Sequence, residues 1–441
     1  MPIETISTRR ERRIALSKTE QNRGMRLAYL SQAVGAHLFL FISASAICPL
    51  FIKKLGGSDL QAMLPATMSG LLLMVQIPIS ILVPPARGRK FMLNCWKLSS
   101  LPMLAVILAA LGLGERQLTV WIVLASLIAI MSLLWAGATF WSPMIHDIVP
   151  TRRLGRFFGN IRAILGITYF ALSILAGFFL GQSPVLWKFV LVFGVVTLLQ
   201  MFRNFFIARI PVVKESGVDP GAWKEEVRYI IHNRRILIFA GYFIFLMFLA
   251  GFLGQPLVLY MNDLGFSARD NTLIYAASVL GSIVAVVVSG IILDRIGTRR
   301  MFLFVHVILS ILALVVALVG ELPVSWAKPF MTMLLILSGA ALAVAQLASI
   351  AQVFHMAPAS GKTVYMSIMV TVSAAGAAVS PFLTGLILDS SWRRASMAVG
   401  PLVLDIYQIV FLATGFGLIV AMVFLPFIQN IRAAVRPEPL T

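Results

Sequence analysis

Charged residues make up only 12% of this 441-residue chain, and acids are the scarcer sign, with 17 Asp and Glu against 36 Lys and Arg. A soluble domain carries about twice that share of charge on its surface, so a water-soluble globule is excluded. Cys48 and Cys95 are the only cysteines. They fall near opposite ends of their apolar blocks, which argues against a disulfide between them. The sequence holds no Walker or G-x-G-x-x-G phosphate loop, no H-E-x-x-H, no C-x-x-C pair, and no Ser, His and acid set that it can assemble. No segment is large enough for a soluble nucleotide domain. We therefore expect no enzyme activity, no cofactor and no metal. Asn-x-Ser/Thr is absent too, which fits a bacterial inner membrane.

What the chain has instead is apolar sequence, 59% of its residues with a mean hydropathy of +0.93. It arrives in blocks of about 20 residues, the length that spans a bilayer as a helix. Charge and Gly/Pro punctuation divide it into twelve spans: 28–52, 60–83, 93–113, 118–146, 162–182, 185–208, 236–260, 270–294, 301–320, 327–353, 364–388 and 401–428. Most of the 36 Lys and Arg fall in the two tails and the even-to-odd connections. By the positive-inside rule both termini are then cytoplasmic. The net charge of +19 is mostly topology on this reading rather than a nucleic-acid footprint. The tail RRERR at 9–13 can also meet anionic lipid headgroups.

The stretch at 211–235 interrupts the rhythm with charge, Pro and Gly, and Trp223, Val227 and Ile230 within it have helical spacing. A short amphipathic helix on the cytoplasmic face is expected there. The expected fold is an all-α polytopic membrane protein with twelve transmembrane helices in two six-helix bundles. Its parts are a basic tail at 1–27, a bundle at 28–208, a linker at 209–235, a second bundle at 236–428 and a tail at 429–441. A weak repeat supports the division: VPPARGRK after span 2 and LDRIGTRR after span 8 set Gly88 in register with Gly297, and Pro150 matches Pro358.

At these residues the chain resembles the major facilitator superfamily. GIILDRIGTRR at 290–300 is similar to that family's loop G-x-x-x-D-R-x-G-x-R-R at Gly290, Asp294, Arg295, Gly297, Arg299 and Arg300. The first-half copy departs from it, with Pro85 and Ala86 where an acid and an arginine are expected. Asp147, Pro150, Arg153, Arg156 and Gly159 resemble the segment between spans 4 and 5, and PFLTGLILDSSW at 381–392 resembles the end of span 11. The resemblance implies a secondary transporter that rocks two halves about a central site, with Asp294 closing onto the start of span 5 near Arg153, Arg156 and Arg162.

Apart from Asp270 and Asp294 at the two ends of span 8, only Asp405 among the acids falls inside a predicted span. An ionisable group in a bilayer is costly and usually functional, so a bare midplane argues against a carboxylate relay and favours a neutral or amphipathic solute. His37 is the one mid-depth ionisable group found, a candidate for binding substrate or carrying a proton. Gln76, Trp135, Tyr169, Gln255, Tyr275 and Gln346 are the other candidate cavity residues, since amides, hydroxyls and aromatic faces orient a neutral ligand. Pro78, Pro143, Pro256 and Pro381 are candidate kinks. Three functions stay open: a transporter of a small organic solute, an exporter of amphipathic drugs or lipids, and a non-transporting sensor or scaffold. Expected partners are a small-molecule substrate, membrane lipids and, through His37, protons. The chain is expected to act as a monomer.

Overall fold

The computed structural model describes residues 16–150, 153–211, 222–357, 363–399 and 402–431. Twelve long helical units cross between two faces. Helix 1 comprises Lys18–Gly35, His37–Ser43 and Ile47–Lys54; helix 2 comprises Asp59–Leu71, the tighter turn Leu72–Val75 and Gln76–Leu82. Helix 3 is Pro85–Leu98 and Leu101–Leu113, helix 4 Gln117–Ala138 and Trp141–Ile148, helix 5 Leu154–Leu180, and helix 6 Leu186–Ile207. A linker helix, Ala222–His232, leads to helix 7, Arg234–Gly251 and Pro256–Asp263. Helix 8 is Ala268–Ile296, helix 9 Thr298–Val319, helix 10 Val324–His355, helix 11 Thr363–Asp389, and helix 12 Ile406–Ala421 with the turn Met422–Phe427.

Eleven of these units are long and apolar enough to cross a membrane. The twelfth, helix 8, has 29 residues and spans about 43 Å at 1.5 Å per residue. The chain is thus a predominantly helical, multi-pass membrane protein of two six-helix bundles. Helix 2 packs along helix 11 and helix 5 along helix 8, which makes the seam between the halves. We call the side where helix 1 begins and helix 12 ends the terminal face, and the other side the opposite face.

Local chemistry sets the helix starts. Capping boxes at Ser17/Glu20, Ser58/Gln61, Ser267/Asp270 and Asp405/Gln408 satisfy the first N–H groups of helices 1, 2, 8 and 12. Proline accounts for several interruptions, because it cannot donate to the residue four before it. Pro143 follows the break at Thr139 and Phe140, Pro256 follows the break in helix 7, and Pro78 follows the tight turn of helix 2. Pro381 instead sits within a continuous helix 11.

Two expectations need correction. The loop after span 2 is not a counterpart of the Gly297 turn: helix 3 starts at Pro85 and already contains Gly88, packed against the Phe140 ring. Of this pair only Gly297 takes a left-handed φ, 82°, and it turns helix 8 into helix 9. Asp405 lies outside helix 12, as its N-cap, because Met397–Val399 and Leu402–Leu404 form an antiparallel hairpin where the sequence suggested the start of a span. Burial raises the Asp405 carboxyl above its ordinary range, while N–H bonds from Gln408 and Tyr407 oppose this, and Asp263 and Glu321 raise it further. Both cysteines are free and buried.

The linker helix docks on the second bundle. Its buried Glu226 accepts the Tyr365 N–H at the start of helix 11 at 2.9 Å, and Tyr229 donates to the Met356 carbonyl. Ile230 is buried beside them, while Trp223 lies outside the residues whose side chains are described.

Candidate functional site

Helices 1 and 7 are interrupted at corresponding places. Residues 44–46 separate the last two segments of helix 1, and residues 252–255 separate the two segments of helix 7. Each outer segment has eight residues, so the breaks lie about 12–15 Å from the opposite face, close to mid-membrane. An unwound turn in an apolar setting leaves carbonyls that must find partners. Tyr169 of helix 5 donates to the Ala44 carbonyl at 2.7 Å. The Gln255 amide, from the break in helix 7, donates to Ser43 at 3.3 Å and Ser45 at 3.2 Å, and to the Tyr275 hydroxyl of helix 8 at 3.3 Å. The Gln255 Oε1 is buried without a partner. Three of the candidates read from sequence therefore meet at one place, joining both halves.

Toward the opposite face the seam is sealed by polar bonds. The Asp389 carboxylate, at the end of helix 11, accepts the first N–H groups of helix 2 from Asp59 at 2.9 Å and Leu60 at 3.3 Å. A helix N-terminus has free donors and a partial positive charge, so a carboxylate is stabilised there. Gly385 permits the approach, because any Cβ at that position would strike the Leu60 backbone. The Asp59 side chain is only 4% exposed and is paired with Lys53 at 2.9 Å and with Arg393. Arg393 also reaches Asp263 at 3.1 Å, which accepts from the Tyr407 hydroxyl at 2.9 Å. Burial works against the Arg393 charge, but Asp59, Asp263 and Tyr407 outweigh it and hold its pKa above the ordinary arginine value. The start of helix 8 adds main-chain bonds, from Ala268 to Gln182 and from Arg269 to Gly181.

Toward the terminal face the pattern reverses. Gln346 is exposed although it lies on the side of helix 10 away from the exposed apolar residues Met333 and Leu337. Arg162 is likewise exposed on the side of helix 5 away from Ile167, Leu175 and Phe178. At about 100° per residue, both face the interior rather than lipid. Both also lie within nine residues of their terminal-face ends, Leu154 and His355. Two exposed polar side chains thus face the interior on the terminal-face side of the roof made by Gln255, Tyr169 and Tyr275.

The remaining candidates are placed apart from that roof. His37 opens the second segment of helix 1, fully buried, with Nε2 at 2.9 Å from the Ala33 carbonyl and Nδ1 unpartnered. Trp135 donates to the Ser69 carbonyl at 2.8 Å and so packs helix 4 on helix 2 within one half. Gln76 is buried where helix 2 resumes after its tight turn. Arg153, Arg295, Arg299 and Arg300 are exposed at the terminal face. Arg299 donates its N–H to Asn430, and Thr298 bonds Gln352, tying the start of helix 9 to its own bundle. The expectations on the side chains of Asp147, Arg156 and Asp294 and on Gly290 lie outside the described residues. The sequence reading missed Asp59, Asp263 and Arg393, whose partners are distant in sequence. For Asp389 it gave a motif but no role.

Comparisons with known proteins agree with this architecture. The family model described as Major Facilitator Superfamily matches residues 27–381 and 255–440. Among solved structures, a D-xylose-proton symporter superposes with a TM-score of 0.68 at 13% identity, covering 94% of this chain and 99% of that one. The nucleoside transporter NupG gives 0.63 at 12%, covering 93% and 100%, and a bacterial metal transporter gives 0.58 at 12%, covering 92% and 97%. At such identities the likeness is one of fold. No curated protein matches the chain in sequence.

Proposed function

Because the chain belongs to the major facilitator superfamily of transporters, we propose that it carries a small organic solute, neutral or amphipathic, across the membrane by alternating access. The observation that carries this reading is the roof at the paired helix breaks. Its donors and acceptors are an amide, two phenols and unwound carbonyls. Such groups orient a neutral polar ligand without a full charge to compensate. A solute entering from the terminal face competes with Ser43 and Ser45 for the Gln255 amide, which loosens the seal above it. The Lys/Arg excess supports a cytoplasmic terminal face, and the lack of glycosylation sequons supports a bacterial inner membrane as its setting.

Counterflow in proteoliposomes tests the reading, with labelled neutral sugars and nucleosides set against amphipathic cations and dicarboxylates. Exchange of a neutral solute is expected, and Gln255→Leu should slow it about tenfold by leaving two carbonyls without a donor. Transport of only dicarboxylates or of none of these probes would overturn it. Proton coupling, if present, is assigned to His37. His37→Gln should then keep exchange while lowering accumulation driven by a pH gradient, and unchanged strong accumulation would remove His37 from that role.

A further inference from the structure

Helix 6 turns three polar residues into the first bundle, one helical turn apart on one face: Gln200, Arg203 and Asn204, exposed by 1%, 8% and 4%. Arg203 leaves its helix against Gly35 of helix 1. Its guanidinium lies over the Trp96 ring at 4.0 Å and near the Trp141 ring at 5.6 Å. Cation–π contact stabilises the charge through the ring faces but leaves the N–H edges unused. The Arg203 Nε is enclosed without an acceptor, as are Gln200 Nε2 and Asn204 Nδ2, and Asn204 Oδ1 has no donor. Among the described residues no carboxylate pairs with Arg203.

A buried charge is ordinarily paired and hydrogen-bonded, and unpartnered buried donors are rare. Here three of them share one helix face around a single cation. Donors outnumber acceptors, a balance that suits an anion with several oxygens. Arg203 is four residues from Ile207, the terminal-face end of helix 6, a depth of about 6 Å. Lys90 of helix 3 and Arg209 after helix 6 are exposed around that end, giving a basic rim that draws anions inward.

We propose that the first bundle holds a phosphate-binding site, separate from the transport path, in which a phosphate group takes the Arg203 fork together with the Gln200 and Asn204 amides. Arginine suits this role because its planar fork grips two oxygens at once. The phosphate belongs either to a free phosphate compound or to an anionic lipid headgroup, and the same chemistry serves both.

The test uses the full chain purified in neutral detergent and in phosphatidylcholine nanodiscs, with thermal unfolding and native mass spectrometry as readouts. Inorganic phosphate is titrated at constant ionic strength, and phosphatidylglycerol is added to a second set of discs. Wild type should be stabilised by phosphate if the ligand is soluble, or should retain phosphatidylglycerol and gain stability only from it if the ligand is lipid. Arg203→Lys keeps the charge but loses the fork, and should weaken that binding about tenfold. If this variant does not fold, Asn204→Leu keeps Arg203 and should still shift the midpoint. No response of wild type to either phosphate source overturns the proposal. So does a response that both variants retain in full. A phosphate response that appears only in Asp147→Asn also overturns it, because the chain then supplies its own anion.

Discussion

All five ion pairs among the described residues lie at the opposite face. The terminal face presents Arg153 on one half and Arg295, Arg299 and Arg300 on the other, all exposed and none in such a pair. The two faces therefore close by different means. At the opposite face, closure is held by a few identifiable charges: Asp389 on the start of helix 2, and Asp59 and Asp263 on Arg393. At the terminal face, approach of the halves brings like charges together, which favours opening unless an acid or a screening salt intervenes. This difference accounts for a structure sealed on one side with Arg162 and Gln346 exposed inside the other.

The largest expected effect comes from removing the hub of the sealed face. Asp59→Asn leaves Lys53 and Arg393 side by side without the carboxylate they share. Breaking a nearly buried pair from one side costs more than the pair itself contributes, on the order of 1–3 kcal/mol here. The opposite-face-open population should rise about five- to 150-fold. A reporter cysteine at Ser45, with both native cysteines replaced, should then label rapidly from that face. Labelling at the wild-type rate would show that apolar packing alone keeps the seam shut.

Asp294→Asn probes the other face and should have a smaller effect of opposite sign. We propose, from the family's pseudo-symmetry, that the Asp294 carboxylate meets the start of helix 5 when the terminal face closes, a contact of about 0.3–2 kcal/mol. Its loss should raise labelling of a cysteine at Gln346 by a few-fold to about thirtyfold, with normal membrane insertion. Unchanged labelling in an inserted protein would reduce the Arg295, Arg299 and Arg300 cluster to a topology signal.

The sequence displays some of this contrast and hides the rest, for physical reasons. Block length and the charge pattern reveal twelve crossings because a bilayer imposes both, and the Gly297 turn is visible because a left-handed φ favours glycine. Gln255, Tyr169 and Tyr275 stand out as polar groups in apolar blocks. The break in helix 1 has no local signal: Ser43, Ala44, Ser45 and Ala46 form a tolerable helix, and it is Gln255 and Tyr169 from elsewhere that stabilise the unwound carbonyls. Arg393 and its partners are more than a hundred residues apart, so no local pattern joins them. Arg203 reads as an end-of-helix charge until the fold turns it inward onto two indoles. The strands Met397–Val399 and Leu402–Leu404 resemble part of a span because their residues are apolar, although the sequence Gly400-Pro401 is a turn signal.

The smallest effect separates a latch between halves from a cap within one. Asp389 and Glu226 both receive N–H groups at the start of a helix. Asp389 does so across the seam, whereas Glu226 belongs to a linker helix that is docked on the same bundle as helix 11, through Tyr229 and Met356. The bond between Glu226 and Tyr365 is therefore expected to persist when the halves move relative to each other. In the first half Pro85 stands where the family's loop has an acid, so the start of helix 11 relies on this cap from its own side. Glu226→Gln retains an acceptor oxygen and removes only the charge, a loss of about 0.3–1 kcal/mol. The midpoint of thermal unfolding should fall slightly, while cysteine labelling at Ser45 and Gln346 stays at wild-type rates. A several-fold change in either labelling rate would mean that Glu226 acts across the seam, and the contrast between the two faces would lose its basis.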